Sequence, residues 1–272
     1  MLLETARANV SLARLLEGHA DACAILREAG DEPTPRLLYA IWASRGTLSW
    51  AKDDGVPTYQ IYGEKPFCSG ATIVDRALVY VDDVSALVHI DPGSDGFDFT
   101  EDDWRTFALE DTRTWRLKAE GGMVIDLIGG RDWYFRRKGF WPGALAPAAC
   151  WAGAALGLVD CVRNRPPRDA HDRAQLGALR ALEWELTTVL HAAAREVESG
   201  AADDGYHSTA VCLRHVVERV CKEAIERCCR LGGPRAMAGT PGFLRRLSEL
   251  RLYLGQHHGD RDLADLAGAA AP

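Results

Sequence analysis

The hydrophobic rhythm of the chain changes twice. Over residues 1–30, Leu12, Leu15, Leu16, Cys23 and Leu26 recur at helical spacing and Gly30 ends the run, so one helix is expected there. The tract DEPTP then breaks the pattern. Between 37 and 135 the apolar runs shorten to TYQIYG, ATIVDRALVYV, ALVHI, TRTWRLK and MVIDLI. They are rich in β-branched and aromatic residues and are separated by GVP, DPGSDG and EGG. Such runs read as strands and turns at the spacing of a barrel or sandwich. From 140 helical spacing returns. After a small-residue segment, Leu176, Leu179, Leu182, Leu186, Leu190 and Ala193 stripe residues 170–198. Val217, Val220, Ala224 and Cys228 stripe 208–231, and Phe243, Leu244, Leu247, Leu250 and Leu254 stripe 241–254. Leu231-Gly-Gly-Pro234 should stop the third of these helices. Four amphipathic helices with short connections point to a bundle. The expected architecture is α+β: a short N-terminal helical segment (1–36), a central β-barrel domain (37–135) and a C-terminal four-helix bundle (136–272).

Composition adds constraints. The 272 residues are 47% hydrophobic, enough for a sizeable core. A net charge of −7 gives no nucleic-acid signature, so no nucleic-acid partner is expected. The eight cysteines form no CxxC pair and no zinc-spaced Cys/His cluster. No metal site is therefore expected, and Cys212, Cys221 and Cys228 read as small hydrophobes in a reducing cytoplasm. No basic start precedes an apolar block, so a signal peptide is not expected. Residues 139–159 imitate a membrane span. Pro142, Pro147, the Ala and Gly content and Asp160 favour a small-residue helix inside a bundle instead, with no membrane partner. The acidic stretch from Asp82 to Asp111 reads as solvated loops, and its spacing is not that of an EF-hand.

Several segments carry a resemblance. Gly63-Glu-Lys-Pro-Phe-Cys-Ser-Gly-Ala71 is similar to the G-x-K-x-[FY]-x-[ST]-x-[AG] barrel turn of the acyl-CoA dehydrogenase family, and Val74-Asp-Arg-Ala77 and a hydrophobic strand follow it. Tyr39-Ala-Ile-Trp-Ala-Ser44 occupies the place of the family's first barrel strand beside the flavin ring. Gly153–Val159 resembles the first long helix of the family's bundle. Arg173-Ala-Gln-Leu-Gly177 resembles its R-x-x-F-G, Leu231-Gly-Gly its L-G-G turn, and Gln256-His-His-Gly-Asp-Arg-Asp-Leu263 the ending of a bacterial subgroup. The likeness spans roughly residues 11–268.

The resemblance implies a flavoprotein that binds FAD and oxidises acyl-CoA or a similar acyl substrate. Trp42 and Ser44 would lie beside the ring. Cys68, Ser69 and Gly70 would let backbone approach it, with the Ser69 hydroxyl bonding N5 or O4. Arg173 would grip the pyrophosphate. Trp184 stands where the family often has Gln and would stack on adenine. The family builds its flavin site across subunits, which implies a homodimer or homotetramer, or a second complementary subunit. The small-residue helix 143–159 offers a close-packing face for such assembly.

Two departures matter. The slot of the family's catalytic glutamate is held by Gln256, His257 or His258, so one of the histidines is the expected base. They are adjacent and cannot share a helix face. Glu249 is a weaker candidate, and His19, His207 and His215 read as structural. Second, under forty residues precede the expected barrel, where the family spends on the order of a hundred. The site should then be open or closed by a partner subunit, and an open site excludes water poorly, which hurts proton abstraction from a weak carbon acid. The alternatives are a flavin monooxygenase on the same fold, or a non-catalytic or half-enzyme subunit that needs a partner chain or has lost FAD.

Overall fold

The computed structural model describes residues 1–52, 58–101, 104–200 and 206–269. The chain forms two compact units. One is continuous, from Leu15 to Phe140; the other joins residues 1–14 to those from 141 onward. The expected N-terminal segment 1–36 is thus divided between them. It is also two helices rather than one: α1 (Leu2–Ala8) and α2 (Val10–Ala29), separated by Asn9 in extended conformation. The expected GVP turn and Asp102–Asp103 lie outside the described residues.

The first unit is built on a seven-stranded sheet: β1 (Tyr39–Trp42), β2 (Ser49–Lys52), β3 (Tyr59–Cys68), β4 (Arg76–Val81), β5 (Ala86–Ile90), β6 (Phe97–Thr100) and β7 (Trp115–Ile128). The order is β1-β4-β5-β7-β3-β2, with β6 also on β7. Among the described residues only β1 and β4 run parallel. Among the described residues the expected barrel is not closed, because β1 and β2 end the path without pairing to each other. Closure needs both edges to meet in register, and β2 is four residues long and largely exposed.

Two expected strands, TRTWRLK and MVIDLI, are one. β7 runs through the EGG tract, with Gly121 at φ 83°, and changes partners on the way: β3 and β6 along its first part, β5 along its second. Gly122 is required where it stands, since a Cβ there would lie 2.1 Å from the Phe97 ring. The expected turn at Gly63–Ala71 is in its first part a continuation of β3. A register shift between Lys65 and Cys68 marks Pro66, which has no N–H for the ladder, and Phe67 takes φ 62°.

β4 explains its own unbroken apolar run by being covered on both faces. Ala77, Val79 and Val81 join Trp42, Ile61, Val88 and Leu117 in one core. Leu78 joins Ile25 and Leu26 of α2, together with Tyr39, Leu87 and Tyr134. Buried Arg137 ties α2 to the end of this unit through Asp21 and Glu28, both at 2.9 Å.

The second unit is helical: α5 (Leu145–Asp160), α6 (Ala170–Glu198), α7 (Tyr206–Gly239), α8 (Pro241–Leu254) and α9 (Gly259–Ala269), with α1. Short helices α3 (Trp133–Arg136) and α4 (Phe140–Gly143) precede them. The expected stop is there: α7 is two helical runs that meet at Gly233, which leaves helical geometry at φ 61° and ψ −173°. Arg165 donates to the carbonyls of Leu231 and Gly232, which caps the first run. The stretch Phe140–Arg163, which contains α5, is the one helical stretch among the described residues long and apolar enough to span a membrane, and most of it is buried inside the protein. The small face of α5 is occupied within the chain: Gly153 lies against Leu3 and Ala6 of α1, and Gly157 against Arg7 and Arg246. The face expected to serve assembly is therefore used to seat α1.

Candidate functional site

In the sheet unit, Trp42, Ser44, Cys68, Ser69 and Gly70 are brought together. Trp42 is buried at the end of β1, edge-on to Phe99, and its indole N–H donates to the Ser69 carbonyl at 2.8 Å. Ser44 donates to the Pro66 carbonyl at 2.6 Å. The amides of Ser69, Gly70 and Ala71 donate to the carbonyls of Phe67, Thr112 and Arg113. These groups hold the segment in shape and are already paired. Burial pushes the Cys68 thiol up to about 12, so it stays protonated near neutral pH.

The Ser69 hydroxyl is paired on its donor side alone, and its polarity follows from a chain of three hydroxyls. Thr112 Oγ1 donates to the Leu109 carbonyl at 2.6 Å, Thr112 and Thr114 are 2.7 Å apart, and Thr114 and Ser69 are 2.9 Å apart. Each hydroxyl carries one proton. Thr112 spends its proton on Leu109, so Thr114 donates to Thr112 and Ser69 donates to Thr114. Ser69 is left with lone pairs and no free proton. Thr114 also lines a cleft of about 250 Å³ with Trp104, Trp115, Arg113 and Glu110. Thr112 and Thr114 carried no motif in the sequence, because only the fold brings the loop after β6 beside Ser69.

Lys65, in the G-x-K motif, is fully buried. Its Nζ donates to the Ser44 carbonyl and lies 3.5 Å from Asp82 Oδ2. Burial lowers its pKa, and Asp82 opposes that shift. This lysine braces the strand end from beneath.

In the helical unit, α6 carries Arg173 and Trp184. Both are exposed, Trp184 to 70%. Arg173 makes no side-chain hydrogen bond or ion pair among the described residues. Eleven residues separate the two, close to three helical turns, so they share a face. Asp169 caps this helix by accepting from the Asp172 amide at 2.8 Å.

His257 and His258 lie in the turn between α8 and α9 and diverge. His258 is exposed and lies 3.0 Å from the Gln256 carbonyl. His257 turns inward: its ring is 5.5 Å from Trp151 of α5 and 6.3 Å from His215 of α7. Arg214 sits 4.8 Å over the Trp151 ring, and Tyr253 meets that ring at right angles. Burial first, then Arg214, lowers the His257 pKa, so the imidazole is neutral near pH 7. Both of its nitrogens are buried without a partner among the described residues, as are Trp151 Nε1 and His215 Nδ1. Glu249 faces elsewhere, toward Arg245 and Ser11. Sequence reasoning placed His215 as structural and passed over Trp151. An indole N–H inside an Ala/Gly helix was the available signal, since a buried donor calls for an acceptor. Among the described residues no group of three or more His, Cys, Asp or Glu is placed to hold a metal.

No family model matches the chain, and no curated protein sequence matches it. Solved structures do. TdsC from Paenibacillus sp. A11-2, in complex with FMN and indole, superposes with TM-score 0.83 at 18% identity, over 98% of this chain and 81% of that one. Methanesulfinate monooxygenase MsuC from Pseudomonas fluorescens gives 0.77 at 16% identity, over 100% and 82%. An acyl-CoA dehydrogenase from Geobacillus kaustophilus gives 0.74 at 14% identity, over 87% and 69%. The chain has the fold these proteins share.

Proposed function

We propose that the chain is a flavin-dependent oxidoreductase of the monooxygenase type, with His257 as its proton-accepting group. The observation that carries this reading is the inward, neutral imidazole of His257, in the stretch that the resemblance aligns with the dehydrogenases' carboxylate. A carboxylate base suits removal of a carbon-bound proton from an acyl thioester. A neutral imidazole suits proton exchange with an oxygen or nitrogen acid near pH 7. The solved structures of like fold support the reading, since they include an FMN complex and a monooxygenase.

The residues fit a flavin in part. The amides beside Ser69 are spent within the sheet unit, so the side chain of Ser69 is what remains to meet a ring. With its proton committed to Thr114, it accepts a hydrogen bond from a flavin N–H; it does not donate to O4 as the sequence suggested. Arg173 and Trp184 are exposed and unengaged enough to serve a pyrophosphate and an adenine if the cofactor is FAD; FMN requires neither. A bound flavin would supply two-electron oxidation and reduction. Within the sheet unit Ser69 would orient the ring; within the helical unit His257 would exchange a proton at a ring nitrogen. Assembly as a homodimer or homotetramer belongs to this proposal through the resemblance.

The test is the visible spectrum of the purified chain and its titration with FMN and FAD. A flavin band or saturable uptake is expected, followed by oxygen-dependent turnover when reduced flavin is supplied. Anaerobic bleaching by an acyl-CoA would move the assignment to an acyl-thioester dehydrogenase. A colourless protein that takes up neither flavin would overturn the proposal.

A further inference from the structure

The environment of His257 contains more chemistry than a base alone requires. Three rings from three elements meet there: Trp151 of α5, His215 of α7 and His257 between α8 and α9. Four ring nitrogens of these residues are buried without a partner among the described residues. Buried polar atoms are overwhelmingly paired, and leaving one unpaired costs about 1–3 kcal/mol. Orphans on three neighbouring rings therefore mark a shared partner for one nitrogen of each rather than separate defects. The spacing allows one. Two hydrogen bonds of about 2.8 Å in series span roughly 5 Å, and the His215 and His257 ring centroids are 6.3 Å apart. The charged groups around the cluster are Arg214 and Glu218 on α7 and Asp262 on α9. Glu218 is engaged by Lys222 and Arg214 donates to the Ala144 carbonyl, so neither is a simple partner for the rings.

We propose that Trp151 and His215 are positioning residues for His257, the three rings sharing one bridging oxygen that fixes which imidazole nitrogen is the acceptor. The hydrogen-bond roles follow from the residue types. Trp151 Nε1 can only donate. An oxygen that accepts that proton has its own to send, and it sends one to His257. The nitrogen so addressed is held as the acceptor, and the His257 proton is confined to the other nitrogen. His215 Nδ1 closes the set as the second neighbour of the same oxygen. This inference rests on the reading of His257 as the proton-accepting group, because a base needs its acceptor nitrogen defined.

The experiment is imidazole ¹⁵N NMR on the full chain without added flavin, above pH 7. Wild type is expected to show His257 in a single tautomer. Trp151→Phe, which keeps a ring against Tyr253 but removes the N–H, and His215→Asn are each expected to give a mixture of both tautomers. An unchanged tautomer in both variants overturns the proposal. Should either variant fail to fold, solvent exchange of the Trp151 indole N–H in wild type decides. Slow exchange supports the bridge, and exchange at the rate of an exposed indole overturns it. Neither readout requires a flavin, so a colourless protein would sink the functional reading without touching this one, and the reverse also holds.

Discussion

A Cβ built on Gly153 would lie 2.1 Å from the backbone carbonyl oxygen of Leu3, so α1 and α5 touch backbone to backbone. The obstacle is main chain and not the end of a flexible side chain, so α1 must move as a body to admit any larger residue. Gly153→Val is expected to cost about 2–3 kcal/mol by overpacking, read as a lowered urea midpoint. Gly177, which has open space around it, should accept alanine at no cost. Equal tolerance at both positions would show that the contact is not as close as described.

Thr112 is fully buried at the centre of the three-hydroxyl chain. Thr112→Val keeps its shape and leaves the Thr114 hydroxyl without its acceptor. The expected loss is about 1–3 kcal/mol in urea denaturation. In a flavin-loaded protein the same change frees Thr114 to turn toward Ser69. The flavin band should then shift if Ser69 contacts the ring, and stay put if it does not.

Lys65 and Asp82 should respond unequally. Asp82→Ala removes the carboxylate beside a fully buried ammonium and also an acceptor for the Gly46 amide. A loss of about 2–3 kcal/mol is expected, below the full value for a buried pair because Asp82 is partly exposed. Lys65→Met replaces the charge with apolar volume and should cost less. Chemical denaturation of the two variants side by side checks the order, and the reverse order would show the pair to be net stabilising.

How far the sequence revealed this molecule depends on distance along the chain. α8 was legible because Phe243, Leu247, Leu250 and Leu254 fix its face with no help from elsewhere. β7 was misread because Gly121 and Gly122 look like a turn until Phe97 is seen packed over them. The Asn9 break in the first helix has no glycine or proline to announce it. At the candidate site, His257 was legible by its place in a motif. Its neighbours Trp151 and His215 were not, since they stand 106 and 42 residues away. The open sheet edge could not be read because strand closure is settled by pairing, which leaves no local mark.

Acid should weaken the fold through two histidines. Burial, then Arg76, lowers the pKa of His89, as burial and Arg214 do for His257. Unfolded, each takes a proton near pH 6.5; folded, each does so only below that. The unfolded state therefore binds more protons as pH drops, and stability falls from about pH 6.5 downward while staying flat above it. Urea midpoints measured from pH 8 to pH 5 should trace that slope. His257→Asn should make it shallower; an unchanged slope in both His257→Asn and His89→Asn would reject the assignment.

Arg173→Ala and Trp184→Ala separate the two flavins. Both side chains are exposed, so stability should change by less than about 0.5 kcal/mol. Each change should weaken FAD binding about tenfold, near 1.4 kcal/mol, and leave FMN binding unaltered. Isothermal titration with both nucleotides is the measurement. Equal effects on the two would remove these residues from any adenosine contact.

The seating of α1 on α5 also sets an order of events at the ribosome. α1 belongs with a helix that emerges only after the whole sheet unit, residues 15–140, has been made. At roughly 5–20 residues per second that interval is about six to twenty-five seconds. Throughout it the nascent chain carries a short helix whose partner has not yet been made. A fusion placed directly before α1 would therefore sit on an element that docks only once α5 has emerged, which makes a position remote from α1 the better handle for producing this protein.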